Sequence, residues 1–150
     1  MTGEDSPRVF ISPPLILAAF VGVGLLIDTG QKATGIAMAA AILTGLVGIA
    51  LITAALGLFF RSNTRPEPWR PANFLVAAGP YRYTRNPMYL GMTLVGLAVA
   101  LAFASLATAV LTILAAFIVD RAVIRREEAY LSRRFGQAYH DYRRTVRRWL

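Results

Sequence analysis

Two stretches of this 150-residue chain combine residue types that can do chemistry. The first reads Tyr81-Arg-Tyr-Thr-Arg-Asn-Pro-Met-Tyr89. Asn86-Pro87 has the form of a helix start, with Asn as cap and Pro at the first helical position. A helix start leaves amide donors free at a positive end, and Arg82 and Arg85 lie just before it. Such an end attracts a carboxylate or phosphate. The second stretch is Glu127-Glu128, an acidic pair inside an otherwise basic segment. A carboxylate there suits a cation. The plainer readings are an aromatic belt with snorkelling arginines for the first stretch, and a surface Arg125–Glu128 pair at i,i+3 for the second.

Other chemistry is excluded by composition. There is no cysteine and only one histidine, His140, so thiolate chemistry and a clustered metal site are not expected. Gly22-Val-Gly24 is no nucleotide loop, because no strand precedes it and apolar chain surrounds it.

The elements that must position these residues are set by apolar runs. Hydrophobic residues make up 56% and charged residues 16%, against about 25% charged in ordinary soluble domains. Lipid is therefore the expected solvent. Residues 9–27 predict a retained membrane helix rather than a cleaved signal, and residues 35–60 predict a second span. Residues 90–119 carry no charge. As one helix they would be about 45 Å long, too long for a hydrocarbon core of about 30 Å. A hairpin turning at 103–105 resolves this, with spans at 87–103 and 105–126. Gly22, Gly24, Gly45, Gly48, Gly91 and Gly96 fall within the spans and predict close helix packing.

Net charge is +8, concentrated in residues 61–86 and 121–150. Basic segments flanking apolar runs follow the positive-inside pattern, so a membrane and its lipids are the expected partners, not nucleic acid. Both termini and segment 61–86 are expected on the cytoplasmic side. After span four, Leu131, Phe135, Tyr139, Tyr142, Val146 and Trp149 recur at helical spacing. Residues 127–150 thus predict an amphipathic interfacial helix, with a break at Gly136. The expected fold is an all-α integral membrane protein of four transmembrane helices plus that helix, in one domain.

At this level the residues resemble a known family. Gly79-Pro-Tyr-Arg-Tyr-Thr-Arg-Asn-Pro-Met-Tyr-Leu-Gly91 is similar to the G-x-Y…R-[HN]-P-x-Y-x-G signature of the isoprenylcysteine carboxyl methyltransferase-like family, to which phospholipid methyltransferases are related. Glu127-Glu128-x-x-Leu131-x-x-x-Phe135-Gly136-x-x-Tyr139-x-x-Tyr142 resembles its second signature, and Val146-Arg-Arg-Trp-Leu its usual ending. The resemblance covers about half the chain, from Phe74 onward.

The resemblance implies a membrane enzyme that uses S-adenosylmethionine and acts on a lipophilic small molecule or lipid. It implies a cofactor site formed by Asn73, Phe74, Leu75, Val76, Tyr81, Asn86, Pro87, Met88, Tyr89 and Glu127, with no metal. Tyr89 and Glu128 are candidate catalytic groups should the acceptor need a base. Arg121 and Arg125 are candidate substrate contacts. Asn86 stands where eukaryotic members usually have His, so no proton role is implied there. Val123 stands where prenylcysteine-acting members have Arg, so that substrate is not implied. A different reading is a non-catalytic membrane binding or assembly module that keeps the fold. Small residues in the spans permit helix pairing without showing a dimer.

Overall fold

The computed structural model describes residues 12–28, 31–61 and 75–150. Long uncharged stretches in an apolar solvent must satisfy their backbone groups internally, which favours helices. The chain forms α1 (Pro13–Ile27), α2 (Ile36–Arg61), α3 (Pro87–Ala102) and α4 (Leu106–Val119). A 3-10 turn, Gly79–Arg82, precedes α3. Proline occupies the first turn of both α1 and α3, where a missing amide hydrogen breaks no bond. Among the described residues there is no strand, only one isolated parallel bridge between Thr84 and Arg147.

Two helical runs are long and apolar enough to cross a membrane, Ile36–Phe60 and Leu106–Phe135. Pro13–Ile27 and Pro87–Ala102 are shorter apolar helices. Outward-facing side chains agree with a lipid solvent: Leu43, Leu46 and Ile49 on α2, and Val110, Ile113 and Phe117 on α4, are exposed.

Beyond α4 the structure departs from expectation. The helix does not end at residue 126. It passes through a π-helical segment, Asp120–Ile124, straight into α5 (Arg125–Phe135). No helix breaker occurs before Gly136, whose φ of 52° and ψ of −124° suit glycine alone. α6 (Gln137–Thr145) follows that break. The 30-residue run Leu106–Phe135 would span about 45 Å, so its polar last turns extend past a bilayer core.

The turn between α3 and α4 falls at residues 103–105 without glycine or proline. Ala104 takes a left-handed φ of 46°, and the Ser105 hydroxyl caps α4 by accepting from the Thr108 amide at 3.1 Å. The Ala33 amide donates to the Ala102 carbonyl at 2.8 Å, so the approach to α2 sits at the same end as this turn. The 3-10 turn packs near the far end of α2, where Phe59 meets the Tyr81 ring edge-on at 5.8 Å.

α3 is the central helix and packs against α1, α2 and α4. Gly48 of α2 and Gly91 of α3 permit the closest approach: a Cβ on Gly91 would lie 2.6 Å from the Gly48 carbonyl oxygen. Gly24 is likewise pressed against Thr108 and Gly96 against Thr112. Gly22 does not follow this pattern, since a Cβ there would meet nothing within 4 Å.

Candidate functional site

The two chemistry-bearing stretches meet where the start of α3 faces the start of α5. The Tyr89 hydroxyl donates to Glu127 Oε1 at 2.7 Å. Tyr89 is buried within a cluster formed with Val119, Val123 and Ile124, which sets its ring. Tyr81 is buried as well. Burial pushes its phenol pKa up, and the Glu127 carboxylate is the next largest cause. Tyr89 bonded to Glu127, with Tyr81 within electrostatic reach of both, makes up the Glu127 group.

Glu127 and Glu128 adjoin in sequence but have opposite electrostatic surroundings. Among the described residues, no guanidinium pairs with Glu127. Glu128 is 7% exposed and takes two. Arg85 Nη2 lies 3.2 Å from Glu128 Oε1, while Arg148 donates to both carboxylate oxygens, at 3.1 Å from Nε and 2.6 Å from Nη2. Both carboxylate oxygens of Glu128 are thereby occupied by guanidinium donors. That pairing sets Glu128 apart from Glu127.

Arg148 also reaches Asp120, with Nη1 3.4 Å from Oδ2. Asp120 is 9% exposed and accepts a further bond from Trp149 Nε1 at 3.1 Å. The C-terminal segment thus folds back onto the π-helical segment and forms a clasp. It also holds the approach to α3. The Arg85 amide donates to the Arg147 carbonyl at 2.9 Å, and the Arg148 carbonyl accepts from Asn86 Nδ2 at 2.9 Å and Thr84 Oγ1 at 3.1 Å. The Tyr142 hydroxyl donates to the Tyr81 carbonyl at 2.7 Å. Tyr139 is fully buried, and burial pushes its phenol pKa up to about 12.

Asn86 does not act as the expected cap. No side-chain capping bond forms; its Nδ2 instead donates to the Arg148 carbonyl. The α3 start nevertheless keeps open donors. The first i→i−4 bond is made by the Leu90 amide to the Asn86 carbonyl at 3.0 Å, leaving the amides of Met88 and Tyr89 ahead of it. Pro87 is buried and Met88 half-buried. Leu75 and Val76 are half-buried on the approach to the 3-10 turn. Asn73 and Phe74 lie outside the described residues.

Arg121 and Arg125 do not join the Glu127 group. Both turn toward Asp120, with Nε atoms 3.6 and 3.9 Å from Oδ2, and Arg121 stacks over Phe117 at 4.5 Å. Sequence reasoning missed Asp120, Thr84, Arg148 and Trp149 as parts of the assembly. A signal for Asp120 was present: it is the first charge after Arg85. Among the described residues no group of three metal-ligating side chains occurs.

None of the curated proteins and none of the solved structures matches the chain. The family model for phospholipid methyltransferase matches residues 33–138, from the start of α2 into α6. That match covers well over half the chain and includes Tyr81, Tyr89 and Glu127. With its two membrane-capable helices, the chain belongs to the phospholipid methyltransferase family of membrane methyltransferases.

Proposed function

We propose that this protein transfers a methyl group from S-adenosylmethionine to a lipophilic small molecule or lipid. One observation carries the reading: Glu127 is a carboxylate with no guanidinium partner among the described residues, bonded by the Tyr89 hydroxyl. A buried carboxylate that lacks a counter-cation suits a cationic ligand, which would restore the charge balance that burial opposes. The cofactor has two cations, an ammonium and a sulfonium, and when bound it supplies an electrophilic methyl group.

Glu127 would hold a cationic part of the cofactor, and Tyr89 would orient that carboxylate. The open amides of Met88 and Tyr89, at the positive end of α3, suit the cofactor carboxylate. Leu75, Val76 and Pro87 would supply apolar wall. Methyl transfer depends on in-line placement, so the rate advantage rests on orientation rather than on a strong base. An amine or thiol acceptor would have to lose a proton, and Tyr89, joined to Glu127, is the group placed to pass it on. α1 to α4 would all cross the membrane, with the Glu127 group and both termini on the cytoplasmic side.

Calorimetric titration of S-adenosylmethionine and its demethylated product into the detergent-solubilised full chain tests this. Saturable binding that weakens in Glu127→Gln and Tyr89→Phe is expected. Absence of binding in folded protein would replace the reading with that of a non-catalytic membrane module.

A further inference from the structure

A second polar site lies outside the Glu127 group, between α5 and the segment that follows it. A cavity of about 270 Å³ is lined by Arg125, Glu128, Ala129, Ser132, Arg143 and Arg148. Its volume is close to the lower end for small-ligand pockets, about 300 Å³. Three guanidinium groups and one carboxylate give the lining a net charge of +2.

The charges are unequally committed. Arg148 is bound to Glu128 and Asp120. Arg125 reaches Asp120 only at 3.9 Å, which leaves most of its five donors unused. Arg143 is exposed and makes no ion pair with a described carboxylate. The neighbouring Arg144, which does not line the cavity, is paired with Asp141 at 4.0 Å. Glu128 adds little negative field to the cavity, since Arg85 and Arg148 cover it from two sides. Guanidinium forks converging on one concavity match the oxygens of a phosphate, which brings one to two negative charges. The walls are α5, which continues from the membrane-capable run, and α6 with the segment after it. A phosphate there would sit where the headgroups of a bilayer begin.

We propose that this cavity is a phosphate-binding site, with Arg143 and Arg125 as its principal ligands. It is independent of the cofactor reading and stands whether or not S-adenosylmethionine binds.

The test uses the full chain in detergent, titrated by calorimetry with short-chain phosphatidic acid and, separately, with inorganic phosphate. Arg143→Ala and Arg144→Ala remove the same charge from adjacent positions on α6. Saturable binding is expected for the parent, about tenfold weaker in Arg143→Ala and within about twofold of the parent in Arg144→Ala. Tighter binding of the lipid than of inorganic phosphate identifies a headgroup as the occupant. Equal binding identifies free phosphate. Equal weakening by both substitutions would reduce the effect to diffuse attraction by a basic surface and overturn the site, as would the absence of saturable binding to either probe.

Discussion

The Tyr89 hydroxyl and Glu127 Oε1 lie 2.7 Å apart although 38 positions separate them in the chain. The bond joins the start of α3 to the start of α5, one residue from a carboxylate with an entirely different task. Substitution should separate the two acids. Glu127→Gln keeps an acceptor for Tyr89 and removes the charge, so S-adenosylmethionine binding should fall about tenfold or more while thermal stability stays near the parent's. Glu128→Gln should lower thermal stability, because it leaves Arg85 and Arg148 short of their counter-charge. Equal cofactor affinity in the parent and in Glu127→Gln would remove Glu127 from the site.

Arg148 ties the C-terminal segment to Asp120 and Glu128 through its side chain, whereas Arg147 contributes its backbone carbonyl to Arg85. Arg148→Ala should therefore cost about 1–3 kcal/mol of stability, discounted because the side chain is about a quarter exposed. Arg147→Ala should stay within about 0.5 kcal/mol. Thermal unfolding of the two variants in the same detergent checks the contrast, and equal losses would refute the clasp.

The α2–α3 contact at Gly48 and Gly91 leaves no room for a side chain. Gly91→Ala should destabilise the protein by about 1–3 kcal/mol, since backbone rather than a flexible side chain must move. Gly22→Ala, on an open helix face, should be neutral or stabilising by up to about 1 kcal/mol. Denaturation midpoints of the pair measure the difference.

Ala104 holds a left-handed backbone conformation at the α3–α4 turn. Ala104→Gly removes the Cβ clash that disfavours this conformation and should raise stability by about 0.5–1 kcal/mol. A lower melting temperature in that variant would show that the turn does not need positive φ.

The apolar runs at 35–60 and 90–119 determined that the chain is helical and membrane-seeking, because uncharged stretches of that length must satisfy their own backbone bonds. Pro87 marked the start of α3 in the same local way. The hairpin at 103–105 was legible only from length, since Ala104 is a poor marker of a left-handed turn. Glu127 and Tyr89 stood out as residue types, but which acid faces the tyrosine was not readable from two adjacent letters. Only tertiary structure decided it: the start of α5 presents Glu127 to Tyr89 and Glu128 to Arg85 and Arg148, and so assigns one carboxylate to a candidate cation site and the other to the clasp. Asn86 shows the same limit, because its side chain makes no local capping bond and donates instead to the distant Arg148 carbonyl. Local sequence sets helices through bonds four residues apart, whereas pairing across 20 to 62 positions depends on where those helices pack.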